Sequence, residues 1–339
     1  MKAMLKVGID IGGTFTDFVF FEDGRIWTYK VLSTPANPAL GVLQGLTPIG
    51  EGEEGVEIVH GSTVATNALL ERKGAKVALI TTQGFEDVLE IGRQDRPKLY
   101  DLFVDRPQPL VPSSLRFGVP ERVDHQGKVL VPLDEGKVTE VLDRIAKEGI
   151  ESLAICLLFS YAYPEHEERI LSLAKGVGIP ISASHRVLPE YREYERTSTT
   201  VVNAYVSPLL DRYIGHLEGA IGGSLRIMQS NGGSISAKGA REEAVHTVPS
   251  GPAAGVVGGF HVAQAAGFSN VITFDMGGTS TDVSLCQGEI KTTAESAIAG
   301  CPIRVPMIDI HTVGSGGGSI AYLDEGGALR VGPESAGAD

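Results

Sequence analysis

DIGGTFTD at Asp10–Asp17 is the stretch that decides the fold, because DMGGTSTD at Asp275–Asp282 nearly repeats it. The two copies agree at six of eight positions. Each follows an apolar, β-rich run and leads into another, Phe18–Phe21 in the first and Val283–Cys286 in the second. That is strand, glycine turn, strand, the pattern of a hairpin. Two glycines after an Asp let the backbone turn tightly and present N–H groups to an anion. The Thr hydroxyls can donate further hydrogen bonds to phosphate oxygens. An Asp ending the strand can hold Mg2+, directly or through water.

One such hairpin is weak evidence, since ordinary turns use Gly, Asp and Thr for local bonds. A near-identical pair, each after an apolar strand, argues for two similar lobes gripping one nucleotide phosphate chain from opposite sides. A polyphosphate between two Asp residues meets repulsion unless a metal intervenes, so the pattern predicts Mg2+ as well as phosphate. Asp10 and Asp275 are the metal or water-orienting carboxylates of this reading. Gly12, Gly13, Thr14 and Thr16, with Gly277, Gly278, Thr279 and Thr281, form the phosphate cradle. Asp17 and Asp282 are expected to fix the hairpin returns by accepting backbone bonds. A third glycine loop, GSGGGS at Gly314–Ser319, adds Gly314, Gly316 and Gly317 as backbone that could approach a nucleotide; a surface turn is the alternative.

Composition narrows the class. The chain has 339 residues, 42% hydrophobic and 21% charged, which suits two domains with apolar cores. Its formal net charge of -13 argues against a nucleic-acid partner, which needs a basic surface. No apolar run approaches the ~20 residues of a membrane span. Three cysteines, Cys156, Cys286 and Cys301, have no ligand spacing and fit a reducing cytoplasm.

Strands alternate with helices over the first 190 residues: Val56–His60, Val77–Thr81, Ser152–Phe159 and Ile179–Ser182 between helical patterns at Thr63–Lys73, Asp134–Glu148 and Glu165–Lys175. The fold class is therefore α/β, with residues 1–190 as a first lobe. Arg93–Pro120, rich in Pro, Arg and Asp, reads as an irregular excursion. Thr197–Leu217 reads as a long helix kinked or broken at Pro208, and Gly251–Ala266 as a small-residue helix able to pack very close to a neighbour. Residues 191–339 reopen the strand–turn–strand pattern as a second lobe. That lobe has no closing helix after its last glycine loop, so it is expected to be cut short. An apolar face should then remain open, favouring association with another chain, a further copy included.

These blocks resemble the superfamily of sugar kinases, heat-shock ATPases and actin, whose two ribonuclease-H-like lobes enclose ATP. Within it the chain is most similar to the A subunit of the ATP-dependent hydantoinase/oxoprolinase family. The resemblance rests on VGIDIGGTFTD, on HGSTVATNALLERKGAKVALITTQGFEDVLEIGRQ from His60, on REYERTSTTVVNAYVSP from Arg192 and on VPSGPAAGV from Val248. FDMGGTSTDVSL and the closing HTVGSGGGSIAYLDEGGALRVGPESAGAD complete it. What the resemblance implies is two actin-like ATPase lobes with mixed sheets and ATP-driven opening of a cyclic amide, such as a hydantoin or 5-oxoproline, with a B-type subunit. Phosphorylation of the amide oxygen would make the ring carbon electrophilic. A ketone-carboxylase ATPase subunit shares the same motifs, and a nucleotide switch of the actin type is a second alternative.

The remaining candidates each carry two readings. His60, at a strand end before Gly-Ser-Thr, is either an acid/base near the phosphate or a packing histidine. Arg93, Asp95 and Arg96 either clamp substrate or partner, or form a solvated charge cluster. Glu193, Glu195 and Arg196 either line the cleft or make salt bridges at a helix start. His311, beside the glycine loop, shares the ambiguity of His60.

Overall fold

The computed structural model describes residues 5–12, 15–34, 37–47, 55–95, 107–221, 223–278, 280–324 and 326–336. Gly13, Thr14, Arg96 and Thr279 lie outside the described residues. The first motif forms the expected hairpin: β1 (Leu5–Ile11) and β2 (Phe15–Glu22) run antiparallel with Asp10 opposite Asp17. A two-residue turn at Asp23–Gly24, both with positive φ, returns the chain as β3 (Arg25–Leu32). Helix α1 (Pro38–Leu46) packs under this hairpin, and Gly45 is required there. A Cβ on Gly45 would stand 2.0 Å from the Phe18 ring. Strand β4 (Val56–Gly61) then lies parallel to β1, and α2 (Val64–Leu70) follows.

The chain next builds a second, four-stranded parallel sheet from β5 (Val77–Thr82), β6 (Arg116–Val119), β9 (Ser152–Cys156) and β10 (Ile181–Ala183), in the order β10-β9-β5-β6. Between them come α3 (Val88–Ile91), a small hairpin of β7 (Arg122–Val123) and β8 (Val129–Val131), α4 (Glu135–Lys147), α5 (Glu165–Leu173) and α6 (Ser184–Val187). Asp134 caps α4 by accepting from the Lys137 N–H, and the buried Val138, Val141, Leu142 and Ile145 form its apolar stripe. The stretch read as irregular therefore contains a sheet strand, β6. Its partner β5 is far away in sequence, so no local alternation announces it.

Helix α7 (Glu193–Ala220) is continuous through Pro208 and buried along most of its length. Burial outweighs the missing N–H, and the Ser207 hydroxyl donates to the Asn203 carbonyl just ahead of the proline. The chain then returns to the first sheet. Strand β11 (Ser224–Met228) pairs parallel with β4, and β12 (Ser234–Ser236) closes the edge, giving the order β12-β11-β4-β1-β2-β3. This sheet takes strands from both sides of residue 190, where the sequence pattern divides the lobes.

After α8 (Ala237–Glu242), α9 (Gly251–Ala265) leads to the second motif. Strands β13 (Asn270–Met276) and β14 (Thr281–Gln287) form its hairpin, with Asp275 opposite Asp282. An excursion over 288–310 then intervenes, with β15 (Thr292–Thr293), β16 (Ser296–Ile298), β17 (Cys301–Ile303) and β18 (Met307–Ile308). Strand β19 (His311–Val313) adds antiparallel to β14, and β20 (Ser319–Leu323) and β21 (Leu329–Ser335) make a last hairpin.

The excursion does not stay with its own sheet. Cys301, Ile303, Val305 and Met307 are buried in the large core that also holds the first sheet and α7. The Arg304 N–H donates to the Thr199 hydroxyl of α7, and the Arg72 guanidinium donates to the Ala299 carbonyl. This strap binds the second hairpin to the first lobe.

Candidate functional site

The two hairpins are built alike to the level of single hydrogen bonds. The Gly12 N–H donates to the Phe15 carbonyl at 2.9 Å, and the Gly277 N–H to the Ser280 carbonyl at 2.9 Å. In each, the third strand returns to the second. Thr16 lies opposite Val31 of β3, and Thr281 opposite Val313 of β19. Two residues on, a serine closes the contact. The Thr16 hydroxyl meets the Ser33 hydroxyl at 3.2 Å, while the Thr281 hydroxyl donates to the Ser315 carbonyl at 2.7 Å. Both threonines are buried and both hydroxyls are engaged by protein. Sequence reading missed these serines, although KVLS and TVGS carry the signal.

The GSGGGS loop is laced onto the second motif. The Gly317 N–H donates to the Gly277 carbonyl at 2.9 Å and the Gly318 N–H to the Gly278 carbonyl at 2.8 Å. Gly314, Gly316 and Gly317 are therefore brought beside Gly277 and Gly278, not left as an independent surface turn.

Helix α9 brings the two first aspartates together. A Cβ on Gly251 would stand 3.5 Å from Asp10 Oδ1, and one on Gly255 3.5 Å from Asp275 Oδ2. These glycines are four residues apart on the helix, ~6 Å of rise, so the two carboxylates approach successive turns of one face. On β4, Gly61 approaches Asp10 just as closely, with a built Cβ 3.2 Å from Oδ1. Asp10 keeps an edge in solvent, yet its surroundings push its pKa up to about 6. Burial is the largest cause, followed by the charges of Asp17 and Asp275. Burial, and next to it the charge of Asp275, also holds Asp282 above the ordinary carboxylate range, against the hydrogen bond from Thr312.

Asp17 and Asp282 bond side chains of the third strand, where backbone bonds were expected. Lys30 Nζ lies 3.0 Å from Asp17 Oδ1, and the Thr312 hydroxyl donates to Asp282 Oδ1 at 2.6 Å. Lys30 and Thr312 occupy the same register position in the two hairpins.

His60 is a packing residue. Its ring is fully buried, with Nδ1 donating to the Ile9 carbonyl at 3.3 Å and Nε2 accepting from the Tyr213 hydroxyl at 2.6 Å. Burial pulls its pKa down to about 4, so the ring is neutral, and both nitrogens are spent inside the core. That leaves no nitrogen for the acid/base role. His311 lies opposite Val283, on the sheet face away from Asp275 and Asp282.

Arg93 and Arg192 converge on the buried Glu195 at 2.6 and 3.0 Å, and both also pair with Glu295 of the strap. Asp95 is exposed, and the Glu193 backbone carbonyl accepts from the Thr197 hydroxyl within α7. Arg196 is buried, donating to the Ser160 and Ser184 hydroxyls and the Leu157 carbonyl. Arg93, Arg192 and Glu195 serve the α7 start and its seam with the strap.

A mixed sheet of this strand order, with the same glycine-turn hairpin repeated in a second sheet, defines a two-lobed α/β protein of the actin-like ATPase class. The chain belongs to the hydantoinase/oxoprolinase family: residues 6–178 match its N-terminal region and 196–339 the hydantoinase/oxoprolinase region. Caprolactamase subunit alpha of Pseudomonas jessenii is 40% identical over 358 residues, spanning 100% of this chain and 51% of its own. The crystal structure of ATP-dependent caprolactamase from the same organism superposes with a TM-score of 0.85 at 39% identity, covering 98% of this chain and 51% of that one. Nucleotide-free acetone carboxylase gives a TM-score of 0.85 at 32% identity, with 99% and 51% covered. The chain thus spans about half the length of these relatives. No helix among the described residues is long and apolar enough to cross a membrane.

Proposed function

We propose that the intact protein binds Mg–ATP between its two aspartate hairpins and uses it to open a cyclic amide, acting with a B-type subunit. The observation that carries this reading is the convergence of Asp10 and Asp275 on successive turns of α9, at the mouths of two matching glycine turns. Four carboxylates in two rows, with Asp10 and Asp282 both raised by burial first and by neighbouring carboxylates second, make a site that is electrostatically costly without a cation. Oxygen donors suit a hard divalent ion, and Mg2+ completes its shell with water and substrate phosphates, so two protein carboxylates suffice. Asp10 and Asp275 would hold it, and bound there it would neutralise charge on the phosphates.

The chain's own part is positioning. The turns at Gly12 and Gly277, with the laced Gly314–Gly318 loop, set backbone around the phosphates. Thr16 and Thr281 hold each turn to its third strand. Transfer of the terminal phosphoryl group to the amide oxygen breaks its bond to ADP and weakens amide resonance. Water then attacks the ring carbon, and the C–N bond breaks as the ring nitrogen takes up a proton and leaves as an amine. A second water cleaves the resulting acyl phosphate to carboxylate and inorganic phosphate. Three buried free thiols fit a cytoplasmic setting.

A second reading, ATP-dependent carboxylation of a ketone, is favoured by the match to acetone carboxylase. The deciding experiment measures ATP hydrolysis by the intact protein with its partner subunit, against hydantoins, 5-oxoproline, caprolactam, and ketone plus bicarbonate. Stimulation by a cyclic amide is expected. Stimulation by ketone plus bicarbonate alone would select the second reading, and rapid turnover indifferent to all of them would exclude both.

A further inference from the structure

The two hairpins differ at one chemically decisive position. Read across the carboxylate-bearing face, the first row runs Asp10, Asp17, Lys30 and the second Asp275, Asp282, Thr312. Directly opposite residues share a face, so each row is a line of neighbouring side chains. The second row satisfies its middle aspartate with a neutral hydroxyl at 2.6 Å. The hairpin therefore does not need an ammonium there to fold. Nor does stability account for one: Lys30 is 54% exposed and Asp17 45%, and ion pairs that open to water add little.

Position accounts for it better. Lys30 Nζ lies 4.8 Å from the centroid of the Phe15 ring, and Phe15 supplies the carbonyl that closes the Gly12 turn. The ammonium thus stands beside the turn, on a flexible four-carbon stem that lets it move without rebuilding the strand. It is also the cation whose ion pair places it on these two rows, facing aspartates that already repel one another.

We propose that Lys30 is a phosphate-binding residue, held by Asp17 until nucleotide arrives and then donating to an oxygen of the terminal phosphate at the first turn. This rests on the Mg–ATP reading above and gives the two lobes unequal tasks. The first brings a cationic side chain to the phosphates, and the second has a neutral hydroxyl at the same register position.

The test copies one lobe into the other. Lys30→Thr installs the side chain that the second hairpin uses, and Lys30→Arg keeps the charge. In the intact protein, melting temperature and equilibrium binding of MgATP and MgADP are measured without turnover. Lys30→Thr should melt with the unsubstituted protein yet bind MgATP about tenfold more weakly, with a smaller loss for MgADP; Lys30→Arg should lie between. MgATP binding by Lys30→Thr equal to that of the unsubstituted protein would overturn the assignment. So would a large fall in its melting temperature, which would make the lysine structural. If the unsubstituted protein shows no saturable MgATP binding, the nucleotide reading itself fails and takes this one with it.

Discussion

Ile9 and Phe274 hold the same place in their hairpins, each one residue before the first aspartate, yet they meet opposite surroundings. Ile9 is 4% exposed and Phe274 is 64% exposed. Their strand neighbours agree: Val7 and Ile11 are buried, whereas Ile272 and Met276 lie open. The first sheet has β4 and β11 beyond β1, with α1 against β1 to β3, α8 against β11 and β12, and Tyr213 of α7 bonded to His60 of β4. In the second, β13 pairs with β14 alone among the described strands. The aspartate faces reverse the contrast. Phe21 is 42% exposed while its counterpart Cys286, covered through α9, is fully buried. Local sequence thus builds the same hairpin twice, but what covers each face is decided by elements elsewhere.

The comparison breaks most severely at the aspartates. If both carboxylates serve one cation, Asp10→Ala and Asp275→Ala should each lower kcat of the intact protein on the order of 10²–10³-fold, as loss of a preorganised electrostatic group does. Circular dichroism should show both folds retained. A loss confined to one variant would mean that the lobes do not share a metal.

Next in size is burial. Urea titration of this 339-residue chain should show Ile9→Ser losing about 3 kcal/mol or more, from lost apolar burial and a buried hydroxyl. Phe274→Ser should lose under about 0.5 kcal/mol. Equal losses would show that the second face is covered after all. The threonine clamps should matter less and alike. Thr16→Val and Thr281→Val are each expected to cost ~1 kcal/mol, the value of one hydrogen bond.

The smallest effect is protonic. Because the folded pKa of Asp10 is raised to about 6, the native state retains a proton that the unfolded state has lost between about pH 4 and 6. Its contribution to stability therefore falls as pH rises through that window and stays low above it. Burial lowers His60 to about 4, and that group has the opposite slope: it contributes stability that is lost as pH falls from about 6.5 to 4. Asp10→Asn should raise the melting temperature at pH 7 by about 1–3 °C and leave the rising slope of His60 visible in a pH series of melts. No gain at pH 7 would mean that neither burial nor neighbouring charge disfavours the Asp10 carboxylate.

Sequence disclosed whatever a hairpin settles within itself. The two turns, their aspartates and the helix of Glu135–Lys147 all follow from spacing and caps over a dozen residues. His60 stayed ambiguous because the hydroxyl that decides its role, Tyr213, lies 153 residues away. The equivalence of Lys30 and Thr312 is not legible in the sequence, since the strap stands where the first lobe has a two-residue turn, shifting the third strands out of step. Strand β6 was hidden for the same reason, pairing in parallel with a distant strand from within a proline-rich stretch.

The strap also sets a clock on biosynthesis. The Arg304 N–H reaches the Thr199 hydroxyl across 105 residues of chain, and Cys301 to Met307 complete the core around α7. At ~5–20 residues per second, a ribosome needs about 5–20 s to deliver the strap after α7 has begun to emerge. During that interval the strap-facing side of α7 is bare, a long-range debt typical of high contact order. Nascent chains arrested near residue 260 should be cut by protease within α7, and chains long enough to free residue 307 from the exit tunnel should resist. Equal protection at both lengths would show that the first lobe closes without waiting for the second hairpin.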